Sequence, residues 1–343
     1  MSTSRRPSNP SSVLGKDSPS VGWKRARPLP YWSGNHRAGH FVDNISQLSP
    51  ARTTLREAAT LDRSDQLSAL TRACSDDLIS AFGLAGSRLA HPVLKKISNP
   101  PARWLARQVA TYDEIVGEAG LRASGTWALE RMARRVEVGG AANVPREGPV
   151  LLVSNHPGLA DAVALFSAIP REDLRVVAAK RPFLTALPNT SRHLITVPED
   201  SSGRLAMVRS AAHHLRSGGA VLTFPGGRIE PDPAVLPGAV EALGQWSESV
   251  DLFARLVPGL VVAPVVVSGV LSPAALRNPF IWIRRRRSDR EWLAATFQML
   301  VPALRNVTTR VEFGAPVHTG NGSAASHAVL EEIRGLIRRC GTR

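Results

Sequence analysis

The chain has 343 residues, 43% of them hydrophobic, which is enough for one large or two modest packed domains and excludes a wholly disordered protein. Its formal net charge of +15 selects for anionic partners: nucleic acid, phospholipid headgroups or phosphate-bearing substrates, without choosing among them. Cys74 and Cys340 are far apart with no CxxC, which excludes a disulfide framework and a thiolate metal site and suits a reducing cytosol.

The opening MSTSRRPSNPSSVLGKDSPS places no apolar run behind its charges and does not read as a secretory signal. Residues 1–50, rich in Ser, Pro, Gly and Arg, are expected to form a disordered tail. Residues 51–135 are expected to form a helical region. Leu67, Leu70, Leu78, Ile79 and Phe82 recur at helical spacing, a break is predicted at SNPPA (98–102), and Trp104, Leu105, Val109, Ile115, Leu121, Trp127, Leu129 and Met132 supply apolar faces beyond it.

From 136 to 343 the texture changes to short β-rich runs alternating with helical stretches. The runs are VEVGG (136–140), PVLLVS (149–154), LRVVAA (174–179), AVLTF (220–224), LVVAPVVVSG (260–269) and TRVEF (309–313). Helices are expected near 159–169, 203–217, 237–246, 289–304 and 324–339. This predicts an α/β domain with a mixed, largely parallel sheet flanked by helices, preceded by the helical N-terminal region. The longest apolar stretch, Gly259 to Leu271, is thirteen residues, short of the roughly 20 that cross a bilayer.

The most informative segment is LLVSNHPGLADAVALF (151–166). A buried strand runs into Asn155 and His156, Pro157 is suited to open a helix, and Asp161 then falls in its first turn. That places His156 where a strand end meets a helix N-terminus, the edge at which open α/β sheets bind ligands. A carboxylate five residues on, folded back by the turn, fixes the imidazole tautomer and leaves the other ring nitrogen to take a proton from an alcohol. A His and an Asp at this spacing also occur together without any catalytic role, so the pair alone leaves both readings open.

The run NHPGLAD resembles the N-H-x4-D signature of the glycerolipid acyltransferases, the family of lysophosphatidate and glycerol-3-phosphate acyltransferases. Further blocks follow in that family's order: AAKRPFLTALP (178–188) with Lys180 and Phe183, FPGGRIEPDP (224–233) similar to F-P-E-G-T-R, and VVAPVVVSG (261–269) similar to the V-x-P-V strand. The resemblance covers about 136 to 318. It implies an O-acyltransferase in which His156 is the general base and Asp161 orients it. It further implies substrate binding by Asn155, Lys180, Phe224, Pro225, Gly226, Gly227, Arg228 and Glu230.

The third block departs from the family. Gly226 stands where the family has Glu, and Gly227-Arg228-Ile229 replaces Gly-Thr-Arg, so the arginine arrives one residue early. The glycines are expected to let backbone approach a bound oxyanion, Arg228 to clamp phosphate, and Glu230 to recover the missing carboxylate.

The implied donor is acyl-CoA or an acyl carrier protein, acting as cosubstrate, and the implied acceptor is a lysophospholipid or glycerol phosphate. Trp282 with Arg284, Arg285, Arg286 and Arg287 is a candidate anionic-membrane surface, giving a peripheral protein on the cytoplasmic face. Two alternatives stay open: an acyltransferase on a non-phosphate lipid acceptor, and an inactive acyltransferase-like module that binds anionic membrane or nucleic acid. Nucleic acid is not the expected partner. GxSxG, GxxxxGK and GxGxxG are all absent, which argues against a serine esterase, a P-loop NTPase and a dinucleotide enzyme. His213-His214 and the other histidines lack metal-ligand spacing, so neither metal nor cofactor is expected.

Overall fold

A computed structural model describes residues 63–84, 91–158, 160–197, 201–320 and 325–341. The expected tail, 1–50, and the first part of the helical region, 51–62, lie outside the described residues.

Two helices come first, α1 (Arg63–Ala81) and α2 (His91–Met132). The predicted stripe on α1 buries Leu70, Leu78 and Ile79. The expected break at SNPPA does not occur: Pro100 and Pro101 lie inside α2, and the non-helical backbone falls at Gly120. Small residues explain the difference. Ala102 and Ala106 are completely buried in the clusters that α1 and α2 share, and this packing holds together a turn that the prolines weaken by removing two N–H donors.

The remaining elements follow in order: β1 (Arg135–Gly139), β2 (Val150–Ser154), α3 (Asp161–Ala168), β3 (Arg175–Ala179), α4 (Pro182–Thr185), α5 (Pro188–Ser191), β4 (Leu194–Val197), α6 (Ser201–Arg216) and β5 (Ala220–Thr223). Next come α7 (Ala239–Ala242), α8 (Ser249–Leu256), β6 (Val261–Ser268), α9 (Pro273–Leu276), α10 (Arg287–Leu300), β7 (Thr308–Phe313), β8 (Val317–His318) and α11 (Ala325–Gly341). Every β-rich run read from the sequence is a strand. β4, β8, α8 and the short helices α4, α5 and α9 go beyond that reading.

The strand order is β1-β7-β6-β2-β5-β3-β4, with β8 also on β6. β6, β2, β5, β3 and β4 run parallel, and β6 pairs antiparallel with β7 and β8. The sheet is thus mixed and largely parallel. Pro264 is tolerated in the middle of it because β8 pairs with β6 only at Val261 and Val262 and β7 only from Val265 onward, so its missing donor faces the gap between those ladders.

β2 is buried at every position because helices cover both faces. Val150 and Leu152 point into the layer formed with α2 and α3, beside Leu129, Ala164 and Leu165. Leu151 and Val153 point the other way, toward Ala211 and Leu215 of α6, Phe253 of α8 and Ile333 of α11. The seat of α3 depends on Gly125 in α2: a Cβ there would lie 2.7 Å from the Val163 carbonyl and 2.8 Å from the Ser167 nitrogen. Only a bare backbone lets the two helices approach so closely.

Candidate active site

β2, β5 and β6 are parallel neighbours, so the chain leaves all three at one edge of the sheet. From that edge come Asn155 and His156, the loop beginning at Phe224, and the turn beginning at Gly269. Pro157 does not open the helix: α3 starts at Asp161, four residues later. This extra slack lets the chain double back so that Asp161, the first residue of the helix, faces His156.

His156 Nδ1 lies 2.6 Å from Asp161 Oδ2. The Asp161 side chain is fully buried, whereas that of His156 keeps 29% of its surface exposed. The carboxylate also accepts the N–H of Gly158 at 3.0 Å and of Ala162 at 2.6 Å, so its orientation is fixed from three directions. An ionised carboxylate only accepts, so Nδ1 carries the proton and Nε2 holds a free lone pair. Burial by itself would lower the imidazole pKa. The Asp161 charge and hydrogen bond, with the Glu230 charge behind them, overcome this and hold it above its ordinary value. The Phe224 ring rests on the imidazole, centroids 4.6 Å apart and tilted by 35°.

Asn155 is not placed as a substrate contact. Its side chain is buried, donating from Nδ2 to the Val267 carbonyl at 2.9 Å and accepting the Val267 N–H at Oδ1 at 2.8 Å. The amide therefore extends the pairing of β2 with β6 and holds the residue before His156 against the sheet. The expectation for Gly226 is corrected as well. Its open side does not face a ligand: a Cβ there would run into Glu230 Oε1 and crowd Trp246 Nε1 at 3.4 Å. Pro225 is buried and its carbonyl accepts the Ser247 N–H, so it contributes backbone rather than a binding surface.

Glu230 is 95% buried, at 5% exposure. Its Oε1 accepts the Trp246 indole N–H at 2.8 Å, and its own N–H donates to the His156 carbonyl at 2.8 Å. Burial pushes the carboxyl up to about 7, against the pull of the Trp246 hydrogen bond and the His156 and Arg228 charges. Gly227 and Arg228 are exposed at the tip of the loop. Lys180 is exposed at the end of β3, on the same sheet edge and separated from β2 by β5. Phe183 packs among Leu70, Ala106 and Leu187, tying α4 to the N-terminal helices.

Three polar residues escape the sequence reading. Asp232, fully buried, accepts the N–H groups of Gly269, Val270 and Leu271 and so fastens the loop bearing Glu230 to the turn after β6. Asp113 of α2 accepts from Gln66, Asn189 and Thr190, joining α1, α2 and α5. Trp246 orients Glu230. The acidic residue in EPDP was visible, but its partners lie after a strand that enters the sheet between others.

The candidate membrane surface is divided by the fold. Phe280, Trp282 and Ile283 protrude from a 3-10 turn, Pro279–Ile283, at 65%, 68% and 57% exposure. Arg285 and Arg286 are exposed beside it. Arg284 instead turns inward to pair with Asp289 at 2.9 Å, and Arg287 pairs with Glu291 at 2.8 Å, so neither offers a free charge to a surface. Among the described residues no helix is long and apolar enough to cross a membrane.

No curated protein matches the chain. Among solved structures it is similar to the 1-acyl-sn-glycerophosphate (LPA) acyltransferase PlsC from Thermotoga maritima, with 18% identity over 80% of this chain and 98% of that one and a TM-score of 0.40. Residues 135–268 match the family model described as Acyltransferase. That span, similar to the Acyltransferase family, runs from the first residue of β1 to the last of β6 and contains His156, Asp161 and Glu230.

Proposed function

We propose that the protein transfers a fatty acyl group from an acyl thioester to a hydroxyl of a lysophospholipid or glycerol-phosphate-like acceptor, with His156 as general base. The observation that carries this reading is the buried Asp161 carboxylate on Nδ1 of a partly exposed His156, which leaves the Nε2 lone pair for a substrate proton, within a span that matches the Acyltransferase family model. Nε2 takes the proton of the acceptor hydroxyl as its oxygen attacks the thioester carbonyl. The tetrahedral intermediate then collapses, the C–S bond breaks, and the imidazolium returns the proton to the departing thiolate. One ester and one thiol form, and no acyl-enzyme is needed.

Cationic side chains favour a phosphorylated acceptor. Arg228 is exposed at the loop tip, near enough for its charge to act on Glu230, and Lys180 is exposed on the same sheet edge. The donor is acyl-CoA or an acyl carrier protein, both anionic and both suited to a chain of net charge +15. The protein works as a peripheral partner of an anionic bilayer on its cytoplasmic face, through Trp282 and its neighbours.

The test is thiol release by the intact protein from acyl-CoA and from acyl carrier protein, against a panel of lysophospholipids, glycerol phosphate and a non-phosphate lipid alcohol, with products identified by mass. Transfer to a phosphorylated acceptor that disappears in His156→Ala is expected. Transfer only to the non-phosphate alcohol would move the acceptor to the other class, and thiol release undiminished in His156→Ala would remove the mechanism.

A further inference from the structure

The sheet ends at β1, which among the described residues pairs with β7 and with no strand on its other side. Arg135 donates its N–H to the Val307 carbonyl, and the register runs unbroken from Arg135 against Thr308 to Gly139 against Glu312. In a parallel ladder alternate residues address the neighbouring strand. Arg135, Glu137 and Gly139 therefore turn their backbone groups toward β7, while Val136 and Val138 turn theirs outward. The same two valines are 37% and 47% exposed, and among the described residues no other strand leaves a large apolar side chain this open. β1 carries neither a proline nor a bulge, two of the devices that keep a bare edge from pairing.

We propose that β1 is an interaction surface for a second copy of this chain, which adds its own β1 antiparallel across a two-fold axis. Charge complementarity selects this partner. Only outward-turned residues can exchange hydrogen bonds, so Val136 meets Val136, Val136 meets Val138, or Val138 meets Val138. The second choice sets Glu137 against Glu137, and the third sets Glu137 against Gly139. The first sets Arg135 against Glu137 on both sides of the axis, because Arg-Val-Glu turned about its valine is its own complement. Glu137 has an oxygen to offer: Oε2 accepts from Arg310 at 2.8 Å, whereas Oε1 is 3.9 Å from Arg135 of its own strand. The valines of both copies then close one face of the junction and the charges the other. β7 and β6 lie between β1 and β2, so each copy keeps its His156 edge open.

The test is made on the full-length protein. Analytical ultracentrifugation is expected to give twice the chain mass, falling toward the chain mass on dilution. Arg135→Glu sets like charges across both pairs and is expected to raise the dissociation constant about tenfold. Glu137→Arg has the same effect alone, and an equimolar mixture of the two variants is expected to dimerise again, since opposite charges then face each other. Val136→Cys reads the register and alters packing least. Mild oxidation is expected to link two copies of it, because a hydrogen-bonded antiparallel pair holds its Cα atoms about 5.5 Å apart, a span that a disulfide covers. Val138→Cys is expected to stay unlinked, since the same register sets it opposite Arg134. Cys74 and Cys340 are buried, and the parent supplies the background.

A protein of single-chain mass at every concentration, with Val136→Cys unlinked, would overturn the proposal. It is equally overturned by a dimer that folded Arg135→Glu leaves as tight as the parent, or by linking at Val138→Cys equal to that at Val136→Cys. Circular dichroism shows which variants are folded, and the cysteine pair decides the matter if a charge variant is not.

Discussion

Asp161 Oδ2 reaches His156 Nδ1 across five residues of sequence at 2.6 Å, and it does so from complete burial. The Gly158 and Ala162 N–H groups hold the same carboxylate from the backbone, and the imidazole is its one side-chain hydrogen-bond partner among the described residues. A general base works deprotonated, and the Asp161 charge raises the His156 pKa above its ordinary 6.5, so kcat/KM should rise with pH through a midpoint above that value. In Asp161→Asn the charge is gone while burial remains. The midpoint then moves to lower pH and the plateau drops by about a hundredfold or more. A pH–rate profile of the two proteins decides it: an unmoved midpoint would show that Asp161 does not set the basicity of His156.

Glu230 makes stability depend on pH with the opposite sign to an ordinary salt-bridged carboxylate. Its folded-state pKa of about 7 lies above the ordinary 4.5, so the folded protein binds this proton more tightly than the unfolded chain does. Its contribution is most favourable below pH 4.5 and is lost as pH rises through about 7. Over that window the loss is on the order of a few kcal/mol. Glu230→Gln keeps an oxygen for the Trp246 N–H and removes the titration. The melting temperature of the variant relative to the parent should climb between pH 5 and pH 8; a constant difference would refute the raised pKa.

Much of this site was legible in the sequence, and what was not has a common cause. NHPGLAD gave the His–Asp pair because both partners lie within one strand-to-helix turn. The six β-rich runs gave the sheet because strands covered on both faces are continuously apolar. Asn155 was misread as a substrate contact because its partner, Val267, is 112 residues away. Only the order of strands, with β6 beside β2, brings them together, and local pattern does not encode that order. Asp232, Asp113 and Trp246 escaped for the same reason, and Pro100-Pro101 misled because the tertiary packing of Ala102 and Ala106 outweighs local propensity.

The corrected role of Asn155 has its own consequence. Asn155→Ala removes both bonds to Val267 and leaves a buried N–H and carbonyl without partners at the centre of the sheet, costing about 2–4 kcal/mol. Urea unfolding should show stability fall by that amount. If Asn155 instead bound substrate, stability would hold and the acceptor KM would rise.

The surface around Trp282 separates charges that the sequence grouped together. Phe280, Trp282 and Ile283 stand out from their turn, with the Arg290 guanidinium 4.4 Å from the Trp282 ring centre and Arg285 and Arg286 exposed at the side. Aromatic rings at the headgroup level with cations beside them suit an anionic leaflet, where each basic residue adds about 1 kcal/mol. Replacing Arg285 and Arg286 together by alanine should lower partitioning onto phosphatidylglycerol vesicles roughly thirtyfold, an effect that added salt erases. Trp282→Ala should weaken binding at all salt concentrations, because the loss is apolar. Arg284→Ala should leave vesicle binding intact and lower the melting temperature, since Arg284 is spent on Asp289. Sedimentation of the four proteins with anionic and neutral vesicles reads the binding, and thermal unfolding of Arg284→Ala beside the parent reads the stability. If the Arg285, Arg286 double variant and Trp282→Ala sediment like the parent, the membrane meets some other face of the protein.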